Sequence, residues 1–226
     1  MAIVSHNLLE DKQEAEMTIQ EVRSTGCYVQ HQFLDEEYID ELKEFFKLPE
    51  IRPGVVEFKK ADIENAESVV LCDLFRDVEK IMKQLDKHLK FHKLWFQTTT
   101  SNSIHAFEAK ASPFLPHIDT QRYTKAMVYL TDVNLESGPF TTSKQNPNNF
   151  EELRKQIFKK VPAALEYQGN RPEFDTSAVN FSPILGKRGM LVVFDTNTPH
   201  FAGKIEEGFR QILRFDYWSK KHILKN

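Results

Sequence analysis

Apolar residues recur along this chain with two different periods, and the change from one to the other divides it. Over residues 35–49, Tyr38, Leu42 and Phe45, flanked by Ile39 and Phe46, form one stripe at helical spacing, with Asp35 as the capping residue and Pro49 as the stop. Residues 68–89 repeat the pattern with Leu74, Val78, Ile81 and Leu85. Before and between these helices, residues 26–34 and 55–58 are extended, apolar and flanked by turn formers. From Leu94 the texture changes to strands: residues 94–100, a turn at Ser101-Asn102, residues 103–109, residues 126–130 and a turn through Asn134-Leu135-Glu136-Ser137-Gly138-Pro139. Two more strands follow, at residues 189–194 and 210–218.

Two segments stand outside that pattern. Residues 1–24 are polar, carry Glu10, Asp11, Glu14, Glu16 and Glu21, and are expected as a loosely attached helix or tail. Residues 145–185 interrupt the strands as an insertion, with a helix over 150–160 that turns Leu153 and Ile157 inward and a loop containing Gly169, Pro172 and Pro183. Each of the two longer helices has a single apolar stripe to bury, so together they cover one face of a sheet. With no internal repeat or linker, residues 1–226 are expected to form one domain, mainly β with supporting helices. A double-stranded β-helix (a cupin-like jelly roll) brings a mid-chain strand and a late strand together at one open end.

That juxtaposition matters because of the polar residues the two regions carry. Pro116-His117-Ile118-Asp119-Thr120 places His117 and Asp119 at i and i+2, which on a strand project to one face. Asp195-Thr196-Asn197-Thr198-Pro199-His200 ends a strand on a third candidate ligand, and Arg210 opens the next. A His-x-Asp tripeptide alone is weak and reads more readily as a polar pair at a strand end; flanked by strands and joined by His200, it becomes a ligand set. Two imidazoles and one carboxylate occupy one face of an octahedron around a mononuclear iron(II) and leave the other face open. Arg210 adds a guanidinium able to fork onto a carboxylate, which points to a 2-oxo acid as co-substrate.

The segment 113–120, the run Met127-Val128-Tyr129-Leu130-Thr131-Asp132-Val133 ending in Ser137-Gly138-Pro139-Phe140, and residues 189–200 with Arg210 resemble the iron(II)/2-oxoglutarate-dependent dioxygenases, most closely the phytanoyl-CoA dioxygenase-like branch. The resemblance covers roughly residues 94–144 and 186–218. It implies His117, Asp119 and His200 as iron ligands and catalytic centre, and Arg210 as the 2-oxoglutarate anchor. It also implies a polar co-substrate contact from the strand before the ligand strand, at His105 or at Thr98 and Thr100. The implied cofactors are Fe(II), 2-oxoglutarate and dioxygen, and the implied reaction hydroxylates a small-molecule metabolite with release of succinate and CO2. Asp119 fills the position where related halogenases carry a small residue, so a hydroxylating or other oxidative outcome is expected over chlorination. After the Gly-Pro turn the family's usual stretch is replaced by Thr142-Ser143-Lys144-Gln145-Asn146-Pro147, which leaves the substrate class open. The alternative is a non-catalytic or metal-independent jelly-roll ligand-binding protein, disfavoured because all four polar positions are present. A cupin-type metal site without co-substrate is disfavoured by Arg210.

Composition narrows the partners. Forty per cent hydrophobic residues and 18 Phe are ample for a core, and the net charge of −3 argues against nucleic acid or an anionic membrane surface. Cys27 and Cys72, the only cysteines, imply no disulfide framework and a reducing compartment. The N-terminus lacks the basic and apolar regions of a signal peptide, no apolar run is long enough to span a bilayer, and a cytoplasmic protein is expected. No Gly-rich phosphate loop is present. His88 and His92, four residues apart, read as helix-end histidines rather than a metal pair. Arg122 and Lys125 follow Asp119 closely enough to reach over an open coordination face, against the more ordinary solvated position.

Overall fold

A computed structural model describes residues 12–47, 54–101, 114–160 and 175–222. Among the described residues, nine strands form two antiparallel sheets. The larger holds β1 (Cys27–Gln30), β2 (Gly54–Phe58), β3 (Lys90–Thr100), β4 (Tyr123–Tyr129), β7 (Leu191–Asp195) and β9 (Phe209–Trp218), in the order β1-β7-β4-β9-β3-β2. The smaller holds β5 (Phe140–Thr142), β6 (Ser182–Pro183) and β8 (His200–Ala202), in the order β6-β5-β8. Strand alternation gives the larger sheet two apolar faces. Leu94, Phe96, Ala126, Val128, Leu191, Val193, Leu213, Phe215 and Tyr217 face the helices, whereas Met127, Tyr129, Val192, Phe194 and Ile212 face the smaller sheet and pack with Phe140.

The helices on the first face are α1 (Lys12–Thr25), α2 (Glu36–Phe46), α3 (Lys60–Glu64) and α4 (Val69–Leu85). In α4 the Ser68 hydroxyl accepts from Leu71 N–H at 3.1 Å, and eight apolar residues, Leu74 and Val78 among them, are buried. At about 1.5–3 kcal/mol for each large apolar side chain, this face is the main stabilising contact of the helical layer. The α4 helix stops at Leu85, earlier than its sequence pattern predicts, because Asp86 is extended and its carboxylate accepts from His88 N–H at 2.8 Å. His92 consequently lies on β3 and His88 in the turn before it, so the two do not share a helix face.

Three further expectations are adjusted. In α2 the buried stripe runs through Ile39, Leu42 and Phe46, with Phe46 stacked on Phe96, while Tyr38 and Phe45 are only half-buried. Within residues 1–24, expected to be a loosely attached helix or tail, the described part belongs to α1, whose Val22 joins the main core with Ile19 packed against it. In the insertion, α5 (Glu151–Lys160) buries Ile157 as expected, but Leu153 is half-buried and Arg154 is fully enclosed. The expected strand at 103–109, with His105, lies outside the described residues. Among the described residues no helix is long and apolar enough to cross a membrane.

Two glycines set approaches that the site depends on. Gly26 has φ +74°, and a Cβ there would collide with the Thr198 side chain, in the loop leading to His200. Gly138, at φ +68°, turns the chain into β5 against the Gly203 carbonyl, where again no side chain fits.

Candidate metal centre

The two polar regions singled out in the sequence meet through the backbone. His117 N–H donates to the His200 carbonyl at 3.0 Å, His200 N–H donates to the His117 carbonyl at 2.9 Å, and Asp119 N–H donates to the Thr196 carbonyl at 3.0 Å. This bridge fixes the side chains. His117, Asp119 and His200 are all buried, and one potential ligand atom from each lies within 4.8 Å of the others. His117 Nε2 is 3.5 Å and His200 Nε2 is 4.0 Å from Asp119 Oδ1. The far ring nitrogens are spoken for. His117 Nδ1 sits 2.6 Å from the Leu115 carbonyl and His200 Nδ1 2.9 Å from the Thr198 carbonyl. An imidazole whose Nδ1–H donates to a carbonyl is the tautomer that presents a free Nε2 lone pair, as a metal ligand must.

Electrostatics agree with that assignment. Burial first, and then the charge of His117, push the His200 imidazolium down to about 3, so the ring is neutral across the ordinary pH range. Burial works to raise the Asp119 carboxyl, but the Lys125 ammonium and the two histidines outweigh it and hold the group well below the usual carboxylate range. The centre therefore offers a neutral His200 imidazole and an ionised Asp119 carboxylate without needing to lose a proton, and with the His117 imidazole they make a donor set suited to Fe(II).

Arg210 lies on the inner face of the same enclosure. It is buried, it stands opposite Thr99 across the β3–β9 pair, and its Nε and Nη1 have no hydrogen-bond partner among the described residues. Burial pulls its ionisation downward, with Tyr129 acting the other way. Buried guanidinium donors are nearly always matched, so unmatched ones facing a ligand space call for an anion such as a carboxylate.

The remaining candidates separate. Thr98 shares a face with Leu94 and Phe96, and its hydroxyl accepts from Gln211 Nε2 at 3.1 Å. By strand parity it therefore faces the helices, as does Thr100, so neither stands where the expected co-substrate contact would need it, and Thr99 is the threonine on the inner face. Arg122 does not reach over the coordination face. Its Nε and Nη2 donate to the Asp195 carboxylate at 2.6–3.0 Å, and it also contacts Asn148 and Glu151. Lys125 does turn inward, its Nζ donating to Asp119 Oδ2 at 2.7 Å. Sequence reasoning missed Arg154, whose Nη1 donates to the Thr120 carbonyl at 3.0 Å and the His222 carbonyl at 3.1 Å and so pins the residue after Asp119. An arginine at helical spacing three residues after Glu151 was its only signal.

No protein-family model matches the chain, and no curated protein matches it. Solved structures do. HygX from Streptomyces hygroscopicus, with nickel and 2-oxoglutarate bound, is 16% identical over 90% of this chain and 87% of that chain, with a TM-score of 0.59. The epimerase SnoN, in complex with Fe3+, alpha ketoglutarate and nogalamycin RO, is 16% identical over 92% of this chain and 85% of that chain, with a TM-score of 0.66. EvdO2 from Micromonospora carbonacea var. aurantiaca, complexed with 2-oxoglutarate, is 14% identical over 100% of this chain and 96% of that chain, with a TM-score of 0.59. These likenesses establish the fold as the double-stranded β-helix expected from the sequence.

Proposed function

We propose that this protein is an Fe(II)- and 2-oxoglutarate-dependent oxygenase of the phytanoyl-CoA dioxygenase-like branch, hydroxylating a small-molecule metabolite. The observation that carries this reading is the pairing of a ready three-donor centre with a buried, unmatched arginine in one enclosure. His117, Asp119 and His200 would hold the iron, and Arg210 would hold the far carboxylate of 2-oxoglutarate through its free donors. The bound group supplies oxidising chemistry from dioxygen, with the 2-oxo acid leaving as succinate and CO2.

The chain's own residues supply the rest. The Leu115 and Thr198 carbonyls orient the two imidazoles, and the His117–His200 backbone bridge keeps the ligand segments in register. Phe140 and Phe194 pack within 5.7 Å of the His200 ring, centroid to centroid, and exclude water from that side. Thr99, opposite Arg210 across the β3–β9 pair, would contact the co-substrate. The branch assignment is supported by the Tyr129–Val133 run and the Gly138-Pro139-Phe140 turn, where the Tyr129 hydroxyl accepts from Phe140 N–H at 3.1 Å. The small-molecule class is supported by SnoN, crystallised with nogalamycin RO, and HygX, crystallised with hygromycin B.

Anaerobic addition of Fe(II) and 2-oxoglutarate is expected to raise a visible metal-to-ligand charge-transfer band that His117→Ala abolishes. A wild-type protein that shows no band and takes up no metal would sink the reading. Substrate-triggered succinate formation across a metabolite panel then identifies the substrate.

A further inference from the structure

The two oxygens of the Asp119 carboxylate face different ways. Oδ1 points to the imidazole pair, 3.5 Å from His117 Nε2 and 4.0 Å from His200 Nε2, while Oδ2 accepts from Lys125 Nζ at 2.7 Å. The Lys125 side chain is 12% exposed and that of Asp119 6%, so this ion pair is sheltered. Lys125 comes from β4, where the sheet sets it opposite Asp216 of β9. Asp216 is already taken: Arg214 holds both of its oxygens, at 2.9 and 3.2 Å. Lys125 is thus committed to the carboxylate beside the imidazoles, with the Tyr123 ring 5.6 Å from its ammonium.

We propose that Lys125 is a positioning residue that restricts Asp119 to one-oxygen coordination, and so keeps a metal position open for a chelating, dianionic co-substrate. This rests on the metal and 2-oxoglutarate reading above. A carboxylate beside a divalent cation can bind through one oxygen or through both. An oxygen engaged by a sheltered ammonium is withheld from the metal, because moving it would strand a buried charge. Three protein donors leave three positions of an octahedron, two for the chelating 2-oxo acid and one for dioxygen. A two-oxygen Asp119 would consume one of them. Lys125 also cancels the charge of Asp119, which leaves the metal site more attractive to a dianion.

The test uses Co(II) as the metal and 2-oxoglutarate as the co-substrate, with wild type, Lys125→Met and Lys125→Arg compared by calorimetry and by the visible spectrum of the bound cobalt. Lys125→Met is expected to bind Co(II) more tightly, since a second carboxylate oxygen is released and a positive charge removed. It should bind 2-oxoglutarate on the Co(II) protein about tenfold more weakly, the scale typical of residues that orient metal ligands. Its cobalt spectrum should shift, and Lys125→Arg should return all three toward wild type. A purely structural role would weaken both binding steps together, so that outcome overturns the proposal, as do unchanged affinities and spectrum. If Lys125→Met does not fold, Lys125→Gln takes its place in the same comparison. Wild type that binds neither Co(II) nor 2-oxoglutarate overturns the metal reading itself, whereas wild-type binding with an unresponsive Lys125 variant overturns this inference alone.

Discussion

Arg210 is a guanidinium enclosed beside Tyr129, with Nε and Nη1 unmatched among the described residues, a costly state that an anionic partner would relieve. Its replacement by Lys keeps a charge but not the planar fork, so one of two parallel contacts to a carboxylate is lost. Arg210→Lys is therefore expected to retain metal affinity while 2-oxoglutarate binding weakens by about 1.5–3 kcal/mol, roughly tenfold to a hundredfold. Calorimetric titration of the metal-loaded variant measures this directly, and an unchanged affinity would remove Arg210 from the site and favour a cupin-type centre. At this scale the candidate ligands were legible because their chemistry and spacing sit in the chain itself: His117 and Asp119 are two residues apart on one extended segment. The Lys125–Asp119 pair was only half legible. The proximity of Lys125 in sequence suggested an inward reach, but the choice between solvent, substrate and ligand depends on the path of residues 119–125, which no local pattern records.

Among the elements, what hydrophobic periodicity encodes was readable and what register encodes was not. Residues 94–100 were recognisable as a strand, yet assigning Thr99 rather than Thr98 to the inner face required knowing that Leu94 and Phe96 face the helices. The α4 helix was visible from its stripe, but its end is set by Asp86 bonding His88 N–H, a turn that a still-favourable apolar pattern conceals. In α5 the same limitation hid Arg154, since a fully buried charge runs against every compositional prior. Its burial is explained by Glu151 and by the Thr120 and His222 carbonyls, which join the insertion to the segment carrying Asp119 and to the end of the described chain. Arg154→Met would take the guanidinium donor away from those carbonyls and leave Glu151 without its nearest cation. A loss of about 3 kcal/mol in urea denaturation is expected from breaking such a buried pair. A loss below about 1 kcal/mol would show that α5 is only laid against the core.

Taken whole, the molecule backs one sheet with helices and uses the other face to enclose a buried polar centre, and that arrangement gives stability a direction in pH. The His200 imidazolium is pushed down to about 3 by burial in the folded protein, against an ordinary value of 6.5 in the unfolded chain. Between those values the unfolded chain binds a proton that the folded one refuses, so unfolding is favoured as pH falls. The slope for this group is at most about 1.4 kcal/mol per pH unit. Asp119 adds to this at lower pH: its depressed carboxyl contributes stability that is present above the ordinary value of 3.8 and is lost as pH falls below it. His222, lowered by burial and then by Arg122, acts in the same sense as His200. The metal-free protein is thus expected to lose stability steadily from about pH 6.5 downward, well before its carboxylates protonate. Urea midpoints measured on metal-free wild type and His200→Gln across that range test the cause. The variant should show a shallower decline, because Gln has no proton to take up on unfolding. An identical decline in the two proteins would mean that His200 is not held neutral by its enclosure, and the tautomer argument for its Nε2 as a ready ligand would fall with it.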